Sequence, residues 1–349
     1  MPWDLKINND RFYERVLGEG TLGLGESYMD GWWDCDQLDE FVFRALRADL
    51  YKKARLGWRA SADVLFSKAF NMQAKKKAAN NAIRSYDIGN KLFQLMLDKR
   101  MAYTCGYWKD TDSLDKAEEN KLDLVCRKLR IQPGQRVLDI GSGWGNFAKF
   151  AAERYGANVT GVTISQRQLE FSREVCKGLP VEIRFQDYRD VNEKFDYVVA
   201  MGFTEHVGYK NYRKYMQTVS RCLNDGGLFL LQTIGHPFSK TSIDPFSNTY
   251  LFPNAVMPSI KQLAAAMEHI FIMEDLHNFG AYYDYTLMGW FQNFDRNWHE
   301  LKEEYGERFY RMWKYYLLSY AGSFRARNNQ LWQIVLSKKG VLGGYESVR

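Results

Sequence analysis

The chain has little of what marks secreted, metal-built or membrane-spanning proteins. Its five cysteines, at positions 35, 105, 126, 176 and 222, are odd in number and widely spaced, with no CxxC pair, and its five histidines form no ligand-spaced cluster. Reduced thiols and no structural metal are expected. No run approaches the roughly 18 to 20 apolar residues that a membrane-crossing helix needs, and the opening MPWDLKINNDRF holds no signal-peptide core. A cytoplasmic protein is the expectation. Internal repeats and low-complexity tracts are also missing.

What is present is a long, aromatic-rich chain. Its 349 residues suffice for one large core and an appended smaller domain, and 46% hydrophobic with 26% charged residues is ordinary for a globular protein. The 22 Tyr, 22 Phe and 10 Trp fit either a large core or a site whose walls accept an acyl chain or a cation. Net charge is +6, yet Arg44 to Arg100 holds 14 Lys and Arg against 4 Asp and Glu, a surplus of ten. Such a block suits an anionic partner, whether nucleic acid or the headgroups of a cytoplasmic leaflet, and a solvated helix face explains it equally well.

Periodicity divides the chain in two. Before residue 80, helix-like recurrence at Phe41, Val42, Ala45 and Leu46 follows a turn-rich GEGTLGLGESYMDGWWDCD, and the polar run QAKKKAANNAIR comes after. We therefore expect a small helical domain over 1–79, serving lipid or partner interaction, and a catalytic domain over 80–349. Ser113 caps a helix whose apolar stripe is Leu114, Ala117, Leu122, Val125 and Leu129. Beyond it, the strand-like runs RVLDI, NVTGVTI, VEIRFQD, FDYVVAM and LFLLQTI alternate with helical stretches, which indicates a parallel sheet with crossover helices. Helical patterns near 260–269, 286–303 and 308–325 and a last strand, LWQIVLS, complete an α/β, Rossmann-like fold.

The clearest ligand signal is the turn Val137-Leu138-Asp139-Ile140-Gly141-Ser142-Gly143-Trp144-Gly145. A strand ending in Asp139, then glycines spaced GxGxG and a helix, lets a ligand lie on bare backbone, whereas dinucleotide folds space the third glycine as GxGxxG. The spacing resembles the first motif of Rossmann-like methyltransferases, which bind S-adenosylmethionine. Thr163, Ile164 and Gln168 at the end of the second strand, and Asp187 and Tyr188 after the third, stand where open sheets bind ligands. Singly, each is equally explained as a surface or capping residue.

The strings YDIGNKLFQLMLD, MAYTCGYW, VLDIGSGWG, GVTISQRQ, QDYRD, EHVG, DLHNFGAYYDYTLMGW and GSFRAR, with GLGESYMDGWWDCD before them, together resemble the cyclopropane-fatty-acyl-phospholipid synthases over nearly the whole chain. The resemblance implies a class I methyltransferase fold and transfer of a one-carbon unit from S-adenosylmethionine to a cis double bond of a phospholipid acyl chain. It implies cofactor contacts from Tyr103 and Thr104, the glycine turn, Thr163, Ile164, Gln168, Asp187 and Tyr188. It also implies a bicarbonate ion as general base, held by Cys105, Glu205, Gln232, Ile234 and Tyr283. Gln232 is a departure, because the family usually has His there and an amide cannot be protonated in its place.

An alkene attacking a sulfonium methyl leaves a carbocation in an apolar pocket, so something nearby must stabilise positive charge. Glu205 suits this by charge and Tyr283 by its ring face, although a carboxylate at Glu205 also suits a helix N-cap. His206 reads as structural. Cys105 reads as a ligand or wall residue, with an inert buried thiol as the alternative. Tyr282, Leu287, Trp290 and Phe291 are candidates for an acyl tunnel, and Trp58, Phe66 and Phe70 within the basic segment for peripheral contact with an anionic inner-membrane face. No nucleic-acid partner is expected, since no RNA-binding module is evident; a product with a methyl branch or methylene group, a non-catalytic lipid binder and a homodimer remain to be distinguished.

Overall fold

The computed structural model describes residues 1–50, 71, 73 and 88–349. Most of the basic segment, including Trp58, Phe66 and Phe70, lies outside them, as does the expected boundary between residues 79 and 80. In chain order the elements are β1 (Lys6–Ile7), α1 (Arg11–Glu19), α2 (Thr21–Met29), β2 (Trp33–Asp34), α3 (Leu38–Arg47), α4 (Asn90–Met96) and α5 (Leu114–Leu129). Then come β3 (Arg136–Ile140), α6 (Asn146–Tyr155), β4 (Asn158–Thr163), α7 (Gln166–Val175), β5 (Val181–Phe185), β6 (Phe195–Met201), α8 (Tyr212–Cys222) and β7 (Leu223–Gly235). The chain continues through α9 (Pro245–Tyr250), α10 (Ile260–Met267), β8 (Ile272–Asn278), α11 (Tyr282–Arg296), α12 (Lys302–Arg325) and β9 (Gln330–Ser337).

Seven strands form one sheet in the order β5-β4-β3-β6-β7-β9-β8. The first five are parallel, and β9 runs antiparallel between β7 and β8. The chain order reverses at β3, whose carboxyl end is therefore the expected ligand crevice. Period-two alternation explains why both faces are covered: Leu138, Val198, Ala200, Phe229 and Leu231 pack with α8 and α10, whereas Val137, Val199 and Leu230 face α5 and α6.

A third core joins the two ends of the chain. Phe12, Tyr28, Trp33 and Leu38 from the N-terminal elements are buried with Trp290, Phe294, Trp313, Tyr315 and Phe324 from α11 and α12. Arg325 fixes this arrangement, with Nε 2.9 Å from Asp284 on α11 and an Nη2 2.8 Å from Asp39 on α3. The helical character expected before residue 50 is thus present, sharing a core with the C-terminal helices.

Several elements differ from the sequence expectation. The glycine-rich GEGTLGLGESYM contains a helix, α2, whose glycines permit close packing: a Cβ on Gly23 would lie 2.4 Å from the Arg15 carbonyl oxygen, and one on Gly25 would lie 2.2 Å from the Phe246 ring. β8 was not anticipated, because its MEDLH stretch places Glu274 and Asp275 where a core strand would carry apolar residues. Asp275 is held by Arg349, at 2.7 Å, and by Lys128, at 3.6 Å. The helix read as 286–303 starts earlier, at Tyr282, and stops at Arg296. Gly25→Ala should destabilise the protein by about 1–3 kcal/mol by driving a methyl into the Phe246 ring, measured as a lowered urea midpoint with an unchanged slope.

Candidate active site

Two cavities meet at the carboxyl ends of β3, β4, β6 and β7. The first, of about 140 Å³, lies over the glycine turn. Gly141, Gly143 and Gly145 all have positive φ, and a Cβ on Gly141 would lie 2.5 Å from the Phe203 ring, so only glycine lets the turn pass under that side chain. Tyr103, Thr104, Asp139, Gly141, Ser142, Gly143, Thr163, Ile164, Gln168, Asp187 and Tyr188 all line this space. Val137, Leu138 and Gly145 are not in its wall; the first two are buried in the sheet, and a Cβ on Gly145 would press on Ser172, which explains that glycine by helix packing.

The polar groups of this cavity fall into two kinds. Some are already committed: the Thr163 hydroxyl donates to Gln168 Oε1 at 3.0 Å, and the Asp187 carboxylate is gripped by Arg189 at 2.7 and 2.8 Å. Others await a partner. Asp139 Oδ2 and Ser142 Oγ are enclosed and have no hydrogen-bond partner among the described residues, a state whose cost a polar ligand would relieve. Burial pushes the Asp139 carboxyl up to about 7. Trp144, Phe203, His206 and Asn254 also line the cavity although sequence reasoning did not select them. Trp144 and Phe203 lay within or beside motifs already singled out, so proximity to those motifs was the available signal.

The second cavity, of about 70 Å³, shares Tyr103, Thr104, Gly202 and His206 with the first. It is mainly apolar and aromatic, with Tyr316, Tyr320 and Phe324 contributed at four-residue intervals by α12 and Tyr283 and Leu287 by α11. Of the four candidate tunnel residues, only Leu287 is in this wall; Trp290 is buried in the core, and Tyr282 and Phe291 pack against that core. The α12 stripe carries the regular spacing of an ordinary buried helix face, so its sequence gave no sign of a cavity.

Into this apolar chamber project Glu205 and Gln232. Glu205 sits in a single 3₁₀ turn just after β6, and the Ile234 amide donates to its Oε1 at 2.6 Å. Oε2 is enclosed and has no partner among the described residues, and burial raises the carboxyl to about 7. Burial alone lowers the His206 imidazole to about 4, so it is neutral at physiological pH. Gln232 faces Gln333 across the β7–β9 ladder and accepts from Gln333 Nε2 at 2.9 Å. With its oxygen so engaged, Gln232 keeps an Nε2 without a partner among the described residues. Gln333 thus orients this amide, a role visible only once the strands are paired.

Tyr283 is buried, its ring 4.5 Å from that of Phe324, and burial raises its phenol well above the ordinary value. Cys105 is fully enclosed and not in the wall of either cavity; its thiol is likewise raised well above the ordinary range, and its sulfur lies 3.3 Å from the Gly106 carbonyl oxygen. Ile234 lines the chamber, with its amide already committed to Glu205.

Residues 73–334 match the family model described as mycolic acid cyclopropane synthetase. The chain belongs to that family. A cyclopropane-fatty-acyl-phospholipid synthase of Escherichia coli strain K12 is 49% identical over 348 residues, covering 100% of this chain and 91% of that protein. A probable fatty acid methyltransferase of Pseudomonas putida is 35% identical, over 72% of this chain and 68% of its own. Among solved family structures, the cyclopropane synthase MmaA2 of Mycobacterium tuberculosis superposes with a TM-score of 0.71 at 25% identity, covering 74% of this chain and 98% of that one. The mycolic acid cyclopropane synthase CmaA1, complexed with SAH and CTAB, gives 0.70 at 27% identity with the same coverage. Class I methyltransferase architecture, expected from the sequence, is shared with these family members.

An acid raised by folding binds its proton more tightly in the native state than in the unfolded chain. Its cost is absent below about pH 4.5, grows as pH rises, and levels above about pH 7. Glu205→Gln removes this cost while keeping an acceptor for Ile234. Relative to the parent, its stability should rise between those limits by up to roughly 3 kcal/mol, read from denaturation midpoints at pH 5 and pH 8.

Proposed function

We infer that this S-adenosylmethionine-dependent enzyme is a cyclopropane synthase acting on cis-unsaturated acyl chains of phospholipids. The observation that carries this reading is the apolar chamber holding an enclosed carboxyl, Glu205, and bordering the glycine-turn cavity along the shared residues Tyr103 and Thr104. When bound, S-adenosylmethionine supplies an electrophilic methyl group. Tyr103, Thr104, the glycine turn, Thr163, Ile164, Gln168, Asp187 and Tyr188 form its site, and the unpartnered Asp139 Oδ2 and Ser142 Oγ suit its polar amino-acid end. SAH, bound in CmaA1, is the demethylated form of this cofactor, which supports the assignment.

The chamber's own groups then divide the remaining work. Its aliphatic and aromatic walls bury an acyl chain and exclude water. The ionised Glu205 carboxylate and the Tyr283 ring face stabilise positive charge developing on the alkene carbons, an effect strengthened by the low dielectric around them. Bicarbonate is the general base in this reading and would supply a proton acceptor suited to near-neutral pH. Gln232 Nε2 is a buried donor without a partner among the described residues, whereas the Ile234 amide is already engaged and Cys105 is in the wall of neither cavity. The fit thus centres on Gln232 Nε2.

A cytoplasmic enzyme making peripheral contact with an anionic inner-membrane face accords with the basic segment, and among the described residues no helix is long and apolar enough to cross a membrane. Purified protein, unsaturated phosphatidylglycerol vesicles and S-adenosylmethionine should yield lipids about 14 Da heavier, one added CH2. No such product would overturn the activity. A second reading, a methyl-branched or methylene product, is favoured by the non-ionisable Gln232. Gas chromatography separates ring from branch, and Gln232→His should shift the ratio toward the ring if this position governs the exit of the cation.

A further inference from the structure

Helix α5 turns an apolar stripe toward the sheet, yet two charged residues one turn apart, Glu118 and Lys121, lie on that buried side with fully enclosed side chains. An enclosed ammonium is costly unless its donors are matched. Lys121 Nζ lies 3.1 Å from Glu118 Oε2, yet burial raises that carboxyl to about 8 and leaves both its oxygens without a hydrogen-bond partner among the described residues. The ammonium also donates to the Thr104 hydroxyl at 2.9 Å, and Thr104 belongs to the wall shared by the two cavities.

A carboxyl in the first cavity also lies within the influence of this ammonium. Asp139 reaches that cavity with an unpartnered Oδ2, and Lys121 supplies the positive charge that opposes its loss of ionisation on burial. A simple intrahelical ion pair would need neither connection. A hydroxyl that accepts from an ammonium also keeps its own hydrogen to donate, and the cation polarises it for that purpose. We propose that Lys121 is a positioning residue for the sulfonium cofactor, acting through the Thr104 hydroxyl at the shared wall. The proposal rests on reading the first cavity as the cofactor site.

Equilibrium binding of S-adenosylmethionine and of S-adenosylhomocysteine to the full-length protein tests it, with Lys121→Met, Thr104→Val, Thr104→Ser and the Lys121→Met/Thr104→Val double variant. Each single loss should weaken binding about tenfold, and the double variant should lose much less than the product of the two, because both remove one connected device. Thr104→Ser, which keeps the hydroxyl, should bind like the parent. Losses that multiply fully, or unchanged affinity in Thr104→Val, would overturn the role of Lys121. Failure of the parent to bind either ligand would instead overturn the cofactor reading itself. Should Lys121→Met not fold, Lys121→Gln takes its place in the cycle, and the Thr104→Val and Thr104→Ser comparison decides on its own.

Discussion

The hydrogen bond from the Ile234 amide to Glu205 Oε1 joins the turn after β6 to the end of β7, and it determines what the second cavity presents to a ligand. With Oε1 held, the other oxygen is left without a partner among the described residues, in an enclosure that makes its ionisation costly. A carboxyl poised near neutrality inside hydrocarbon walls is an expensive feature for a fold to maintain. The surrounding sheet maintains it by supplying a backbone donor at the strand end and rigid aromatic neighbours behind it.

The two buried glutamines extend that arrangement. Because β7 and β9 run antiparallel, Gln232 and Gln333 meet side by side, and the shared hydrogen bond leaves one amide donor in the chamber. An imidazole at the same place would bring a titratable group; an amide presents a donor of fixed charge across the physiological range. Gln232 therefore gives the chamber a polar contact that does not itself titrate in the physiological range.

Much of this architecture was legible in the residues. Strands such as FDYVVAM alternate between two covered faces, and the glycine turn announced its cavity because spacing and flanking elements agreed. Features that depend on remote partners were not. The helical state of Thr21–Met29 becomes intelligible only when Phe246 is seen against Gly25, and β8 only when Asp275 meets Lys128 and Arg349. Likewise, Tyr316, Tyr320 and Phe324 carry the spacing of any buried helix face, and their place in a cavity wall shows only once α11 and the segment after β7 are packed around them. Enclosed charges such as Lys121 were passed over because helix periodicity draws attention to apolar positions alone.

Tyr103 and Thr104 form a partition common to both chambers, and the Tyr103 phenol lies 2.8 Å from that of Tyr316 on the far wall. A partition cannot move for one occupant without moving for the other. In the reading proposed above, the occupants of the two chambers are linked ligands: whatever factor the first adds to or takes from the second's affinity, the second returns in equal measure. Such reciprocity favours the doubly filled state over either half-filled one whenever the factor exceeds one.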